Sequence, residues 1–146
     1  MAALQPLHVS TPTAPVIPTG ALSIRVVQVP RGPLYRVEGT HVFIPCNVTQ
    51  DEGTDRLVFR WDFVKAGTET GTPIAVVSTQ DSGYPDARYQ PRVRAGEIYI
   101  HRLSRSSAQL HLTHLQRGDQ GQYECKVGSK AQLTSQSAKV ELKGWH

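Results

Sequence analysis

The sequence predicts an all-β fold, an antiparallel sandwich or barrel of short strands. Three observations predict it. Apolar and polar residues alternate with a period of two in short stretches, Gly, Pro, Asp and Ser punctuate the intervals, and no segment keeps a helical period over ten or more residues. Hydrophobic residues make up 38% of the 146-residue chain and charged residues 19%. That suits one packed domain and is too apolar for a disordered chain. The apolar runs are too short to span a bilayer.

Taken in order, residues 1–24 hold Pro6, Pro12, Pro15 and Pro18 among Ser, Thr and Ala. The prolines break helix and strand alike, so this segment is expected to be a flexible or polyproline-like tail. It has no basic start and no apolar stretch of signal-peptide length. A domain follows over 25–143, with a short tail at 144–146. Arg25 to Val29 opens it as a strand, Pro30 to Pro33 interrupt it and Leu34 to Val37 resume it. His41 to Val48 places Val42, Ile44, Cys46 and Val48 on one face, and Leu57 to Val64 does the same for Phe59, Trp61 and Phe63. Ile74 to Ser78 is short and apolar. Ile98 with Ile100, Leu110 with Leu112, and Tyr123 with Cys125 and Val127 mark three further strands. Ala138, Val140 and Leu142 mark the last.

Both cysteines lie on apolar strand faces, so both point into the core, where a bridge between sheets is geometrically possible. Trp61 follows Cys46 by 15 residues on the next inward face, and Asp119-Gln120-Gly121-Gln122-Tyr123-Glu124-Cys125 spells D-x-G-x-Y-x-C. On Cys46, Trp61, Leu112, Asp119, Gly121, Tyr123 and Cys125 the chain resembles an immunoglobulin V-set domain over about residues 25–143. The resemblance implies a two-sheet sandwich pinned by a Cys46–Cys125 disulfide, with Trp61 packed on the sulfurs. It implies that Tyr123 forms the tyrosine corner, that Gly121 permits the turn before it, and that Arg92 pairs with Asp119 to close one end. The stretch from Ile74 to Arg92 is long enough for the extra edge strands of a variable-type domain. Trp61-Asp62-Phe63-Val64 and a last strand without a Phe-Gly-x-Gly bulge depart from antigen-receptor chains.

The stretches RVVQVP at 25–30, GPLYRVEGT at 32–40, PCNVT at 45–49 and YQPRVRAGEI at 89–98 resemble the first V-set domain of the EWI group, prostaglandin receptor negative regulator-like cell-surface proteins. The Glu-Trp-Ile tripeptide of that group is absent. The resemblance implies an extracellular or plasma-membrane ectodomain of a multi-domain receptor. It also implies lateral association with tetraspanins and integrins, through parts outside this chain. On this reading the chain is one domain of a longer protein, and its proline-rich leader does not account for export.

The expected work is protein recognition or adhesion, without catalysis, cofactor or metal, and without nucleic acid. The outward residues Arg60, Asp62, Gln122, Glu124 and Lys126 are the candidate binding face, with homodimerisation among its modes. Asn47-Val48-Thr49 is a glycosylation sequon, and Asn47 points outward because Cys46 points in. His101 and His111 on neighbouring strands are the one pair from which a metal site could be drawn, and none is assigned. The net charge of +4 is mild. The densest cationic stretch, Arg88, Arg92, Arg94, His101, Arg102 and Arg105, supports an alternative polyanion-binding reading. A fragment without independent function is the remaining alternative.

Overall fold

The computed structural model describes residues 25–50, 53, 55–68, 71–129 and 136–145. The tail expected over 1–24 lies outside the described residues. Among the described residues, nine strands form two sheets: β1 (Val26–Gln28), β2 (Leu34–Val37), β3 (Val42–Thr49), β4 (Leu57–Lys65), β5 (Ile74–Ser78), β6 (Ile98–Ser104), β7 (Ser107–Leu112), β8 (Gly121–Ser129) and β9 (Gln136–Trp145). The order is β1-β3-β7-β6 in one sheet and β2-β9-β8-β4-β5 in the other. This is the variable-type sandwich.

Alternation sets the inward faces. Val42, Ile44, Cys46 and Val48 of β3 are buried while Phe43, Asn47 and Thr49 are exposed. Pro45 is tolerated in this central strand because of its parity. The Val48 N–H donates to the Ser106 carbonyl on the β7 side, so Pro45, of opposite parity, turns its nitrogen toward β1. There β1 has already ended, at the Gln28–Asn47 pair.

The first two strands correct the sequence reading. Leu34–Val37 does not resume the first strand. It crosses to the other sheet and pairs with β9 in parallel, Leu34 opposite Leu142, so that sheet is mixed. Pro30 and Pro33 end the pairing on the first sheet. Gly32 then passes so close to β9 that an added Cβ would sit 3.1 Å from Val140 Cγ2 and 3.2 Å from the Glu141 backbone. The edge beyond β4 also differs. One strand, β5, occupies it, and the described chain from Thr79 onward runs as turns into α1 (Gln90–Arg94), a single helical turn too short to show periodicity. At the C-terminus, β9 carries pairing through Gly144 and Trp145, which the sequence assigns to a tail.

The core joins the sheets through the Cys46–Cys125 disulfide, with Cα atoms 6.5 Å apart. Trp61 is opposite Cys125 in the register and fully buried, and Leu112 is 1% exposed. One end is closed by a polar knot. The Tyr123 hydroxyl donates to the Asp119 carbonyl at 2.7 Å. Arg92, on α1, donates to both Asp119 carboxylate oxygens at 2.7 and 3.0 Å, and the Gln116 N–H donates to the same carboxylate at 2.8 Å. Burial alone would lower the Arg92 guanidinium, but the hydrogen-bonded pairing with Asp119 outweighs it and holds it above its ordinary value. Gly121 has φ +154°, and a Cβ there would lie 2.2 Å from the Val64 carbonyl oxygen, so only glycine fits.

Candidate functional site

The outward face of the five-stranded sheet is set by the same parity that builds the core. Tyr123, Cys125 and Val127 face in, so Gln122, Glu124 and Lys126 face out. The register lays them in rows. Arg60 stands opposite Lys126, Asp62 opposite Glu124, and Val64 opposite Gln122. On the far side, Ser137, Lys139 and Glu141 of β9 stand opposite Lys126, Glu124 and Gln122. Like charges therefore meet across β4 and β8, a destabilising arrangement unless it is compensated diagonally. Lys126 supplies the compensation, reaching Asp62 with Nζ 3.0 Å from Oδ2.

Asp62 is the hub of this face and not one of its contact residues. It is only 8% exposed, which corrects its assignment to an open surface. The other carboxylate oxygen accepts a short hydrogen bond from the Tyr84 hydroxyl. Burial, and then that hydrogen bond, push the Tyr84 phenol well above its ordinary value. The Arg60 guanidinium lies 5.9 Å from the centre of the Tyr84 ring. Tyr84 comes from the loop after β5, where no periodic signal marks it. By contrast, Lys139 and Glu141, which the sequence reading did not single out, alternate with the apolar Ala138, Val140 and Leu142, and that parity is the signal that marks them. At the β2 edge, Tyr35 and Val37 are 50% and 55% exposed and share the outward parity of Lys143.

The remaining sequence candidates fall elsewhere. Asn47 is exposed on the other sheet, and its Oδ1 accepts from Ser107 Oγ at 2.6 Å. The arginine stretch does not form one patch. Arg88 pairs with Asp86 at 2.9 Å, and Arg92 is bound to Asp119. Arg102 donates to the Leu57 carbonyl and packs 5.2 Å from the Phe59 ring centre, and Arg105 donates to the Asp55 carbonyl at 2.7 Å. Arg92 and Arg102 thus serve separate contacts, the Asp119 carboxylate ahead of β8 and the Leu57 carbonyl at the start of β4.

Comparison with known proteins agrees with this architecture. The immunoglobulin V-set domain model matches residues 28–143. The chain is 44% identical to immunoglobulin superfamily member 8 of Mus musculus over 121 residues, covering 82% of this chain and 20% of that protein. It is 38% identical to immunoglobulin superfamily member 2 of Homo sapiens over 120 residues (81% and 12%), and 37% identical to the prostaglandin F2 receptor negative regulator of Rattus norvegicus over 105 residues (72% and 12%). These are proteins of the EWI group, in agreement with the resemblance carried by the sequence. The chain spans a fifth or less of their length. Among solved structures, a chain from a study of T cell specificity and activation by the bacterial superantigen toxic shock syndrome toxin-1 aligns with TM-score 0.61 at 18% identity, covering 83% of this chain and 99% of that one. A chain from the crystal structure of Dpr1 IG1 bound to DIP-eta IG1 aligns with TM-score 0.56 at 16% identity, covering 85% and 98%. At such identities the likeness is one of fold alone.

Proposed function

This chain belongs to the immunoglobulin V-set family, and on that premise we propose that it is a non-catalytic recognition module in the ectodomain of a cell-surface protein. The observation that carries the proposal is the outward face of β8 and β9. There the charges of Glu124, Lys126, Lys139 and Glu141 alternate in sign beside the neutral Gln122, on a framework pinned beneath by Asp62, Tyr84 and Lys126. Mixed charge on a rigid sheet favours specificity and steering over raw affinity, as suits recognition between proteins. The partner is a protein surface with the complementary pattern, a second copy included.

The test is a cell-surface binding screen with the oxidised domain, repeated with Glu124→Arg/Lys139→Glu. The swap keeps opposite charges on the paired residues while reversing the pattern a partner would meet. Loss of binding with an unchanged circular dichroism spectrum is the expected result, and undiminished binding would move the recognition face elsewhere. Association with tetraspanins and integrins belongs, on the same reading, to regions of such a receptor other than this domain. We further assign Asn47 as a glycan acceptor, which puts the sugar on the sheet opposite the charged face. A mass decrease on treatment with an N-glycanase, absent in Asn47→Gln, tests it.

A further inference from the structure

The outward face of the four-stranded sheet carries a second constellation. Phe43, His111 and Tyr99 stand directly opposite one another on β3, β7 and β6. The His111 ring is clamped between its neighbours: Tyr99 stacks at 4.7 Å with an interplanar angle of 6°, and Phe43 lies at 5.7 Å and 24°. His111 Nε2 lies 2.9 Å from Gln109 Oε1, and His111 Nδ1 lies 2.8 Å from His41 Nε2. An amide oxygen only accepts, so Nε2 of His111 carries the hydrogen. Its Nδ1 therefore presents a lone pair toward His41.

We propose that His41 and His111 form a binding site for a late first-row transition-metal ion, Zn2+ or Cu2+. A ligating histidine needs one ring nitrogen bare and the other tied to an acceptor that fixes the tautomer, and Gln109 supplies that tie. The ligand is the neutral imidazole, and nitrogen donors without carboxylates select Zn2+ or Cu2+ over Ca2+ and Mg2+. The ion replaces the proton between the two rings. That proton moves from Nε2 to Nδ1 of His41, so two neutral imidazoles ligate with no net proton release. Metal–nitrogen bonds of about 2.0–2.1 Å require the nitrogens to part by about 0.5 Å. His111 is clamped, so the movement falls to His41, which is exposed at the start of β3. No group of three or more His, Cys, Asp or Glu among the described residues is arranged to hold an ion, so this is a two-imidazole site completed by water.

The test uses the full oxidised chain with Zn2+ or Cu2+ alone. Substoichiometric Cu2+ is expected to broaden the ring-proton resonances of His41 and His111 before those of the other histidines, a readout that needs no variant. In Zn2+ titration calorimetry, His41→Ala and His111→Ala each lose this equivalent, and His114→Ala keeps it. Gln109 is a positioning residue: Gln109→Leu weakens binding about 10-fold, and Gln109→Glu, which retains an acceptor, restores it. Absence of binding, broadening confined to other histidines, or wild-type affinity in the His41→Ala/His111→Ala double variant would each overturn the proposal.

Discussion

The two outward faces of the sandwich arise from the same strand alternation and carry opposite chemistry. On the five-stranded sheet, the outward residues of β4, β8 and β9 include Arg60, Asp62, Glu124, Lys126, Lys139 and Glu141. On the four-stranded sheet, the outward positions of β3, β7 and β6 hold Phe43, Pro45, Gln109, His111, Tyr99 and His101 among others, and no Asp, Glu, Lys or Arg. The inward residues of both sheets merge into one core. The difference teaches that the core dictates only which residues face outward. What those residues are is left to function, and the two faces are separable from the fold and from each other.

The strongest way to break that comparison is to remove what joins the faces. Replacing Cys46 and Cys125 together by Ala opens a crosslink spanning 79 residues, a loss of about 4.5 kcal/mol in the chain-entropy model, read by denaturant unfolding. Asp119→Ala strands the Arg92 guanidinium in its half-buried seat and leaves the Gln116 N–H without its acceptor, costing about 3–5 kcal/mol. Single-face substitutions sharpen the contrast. Asp62→Ala deprives Tyr84 and Lys126 of their acceptor and costs about 1–3 kcal/mol, and a tyrosine absorbance titration would find the Tyr84 phenol closer to its ordinary value. His111→Ala removes the stack with Tyr99 and costs about 1 kcal/mol by thermal unfolding, with no change in the Tyr84 titration.

Much of this was legible in the sequence because β pairing has a strict period of two. Parity alone turned Cys46 and Cys125 inward and Gln122, Glu124 and Asn47 outward. Three features escaped for physical reasons. Parity gives direction but not cover, so Asp62 reads as a surface residue until Tyr84, from an aperiodic loop, closes over it. Register between strands is not encoded by spacing. The sequence brings together only His101 and His111 on neighbouring strands, whereas pairing sets Phe43, His111 and Tyr99 in one row with His41 beside it. The crossing of β2 to the other sheet depends on the close approach of Gly32 to β9, a long-range contact invisible in the local pattern.

The central claim is that recognition belongs to the charged face. Its most direct measurement compares cell-surface binding of the oxidised domain with that of Glu124→Arg/Lys139→Glu and of Phe43→Ser/Tyr99→Ser. The account predicts that the charge swap abolishes binding while changing stability by no more than about 0.5 kcal/mol, and that the second pair leaves binding intact. Loss of binding in the second pair, with full binding by the charge swap, would contradict it.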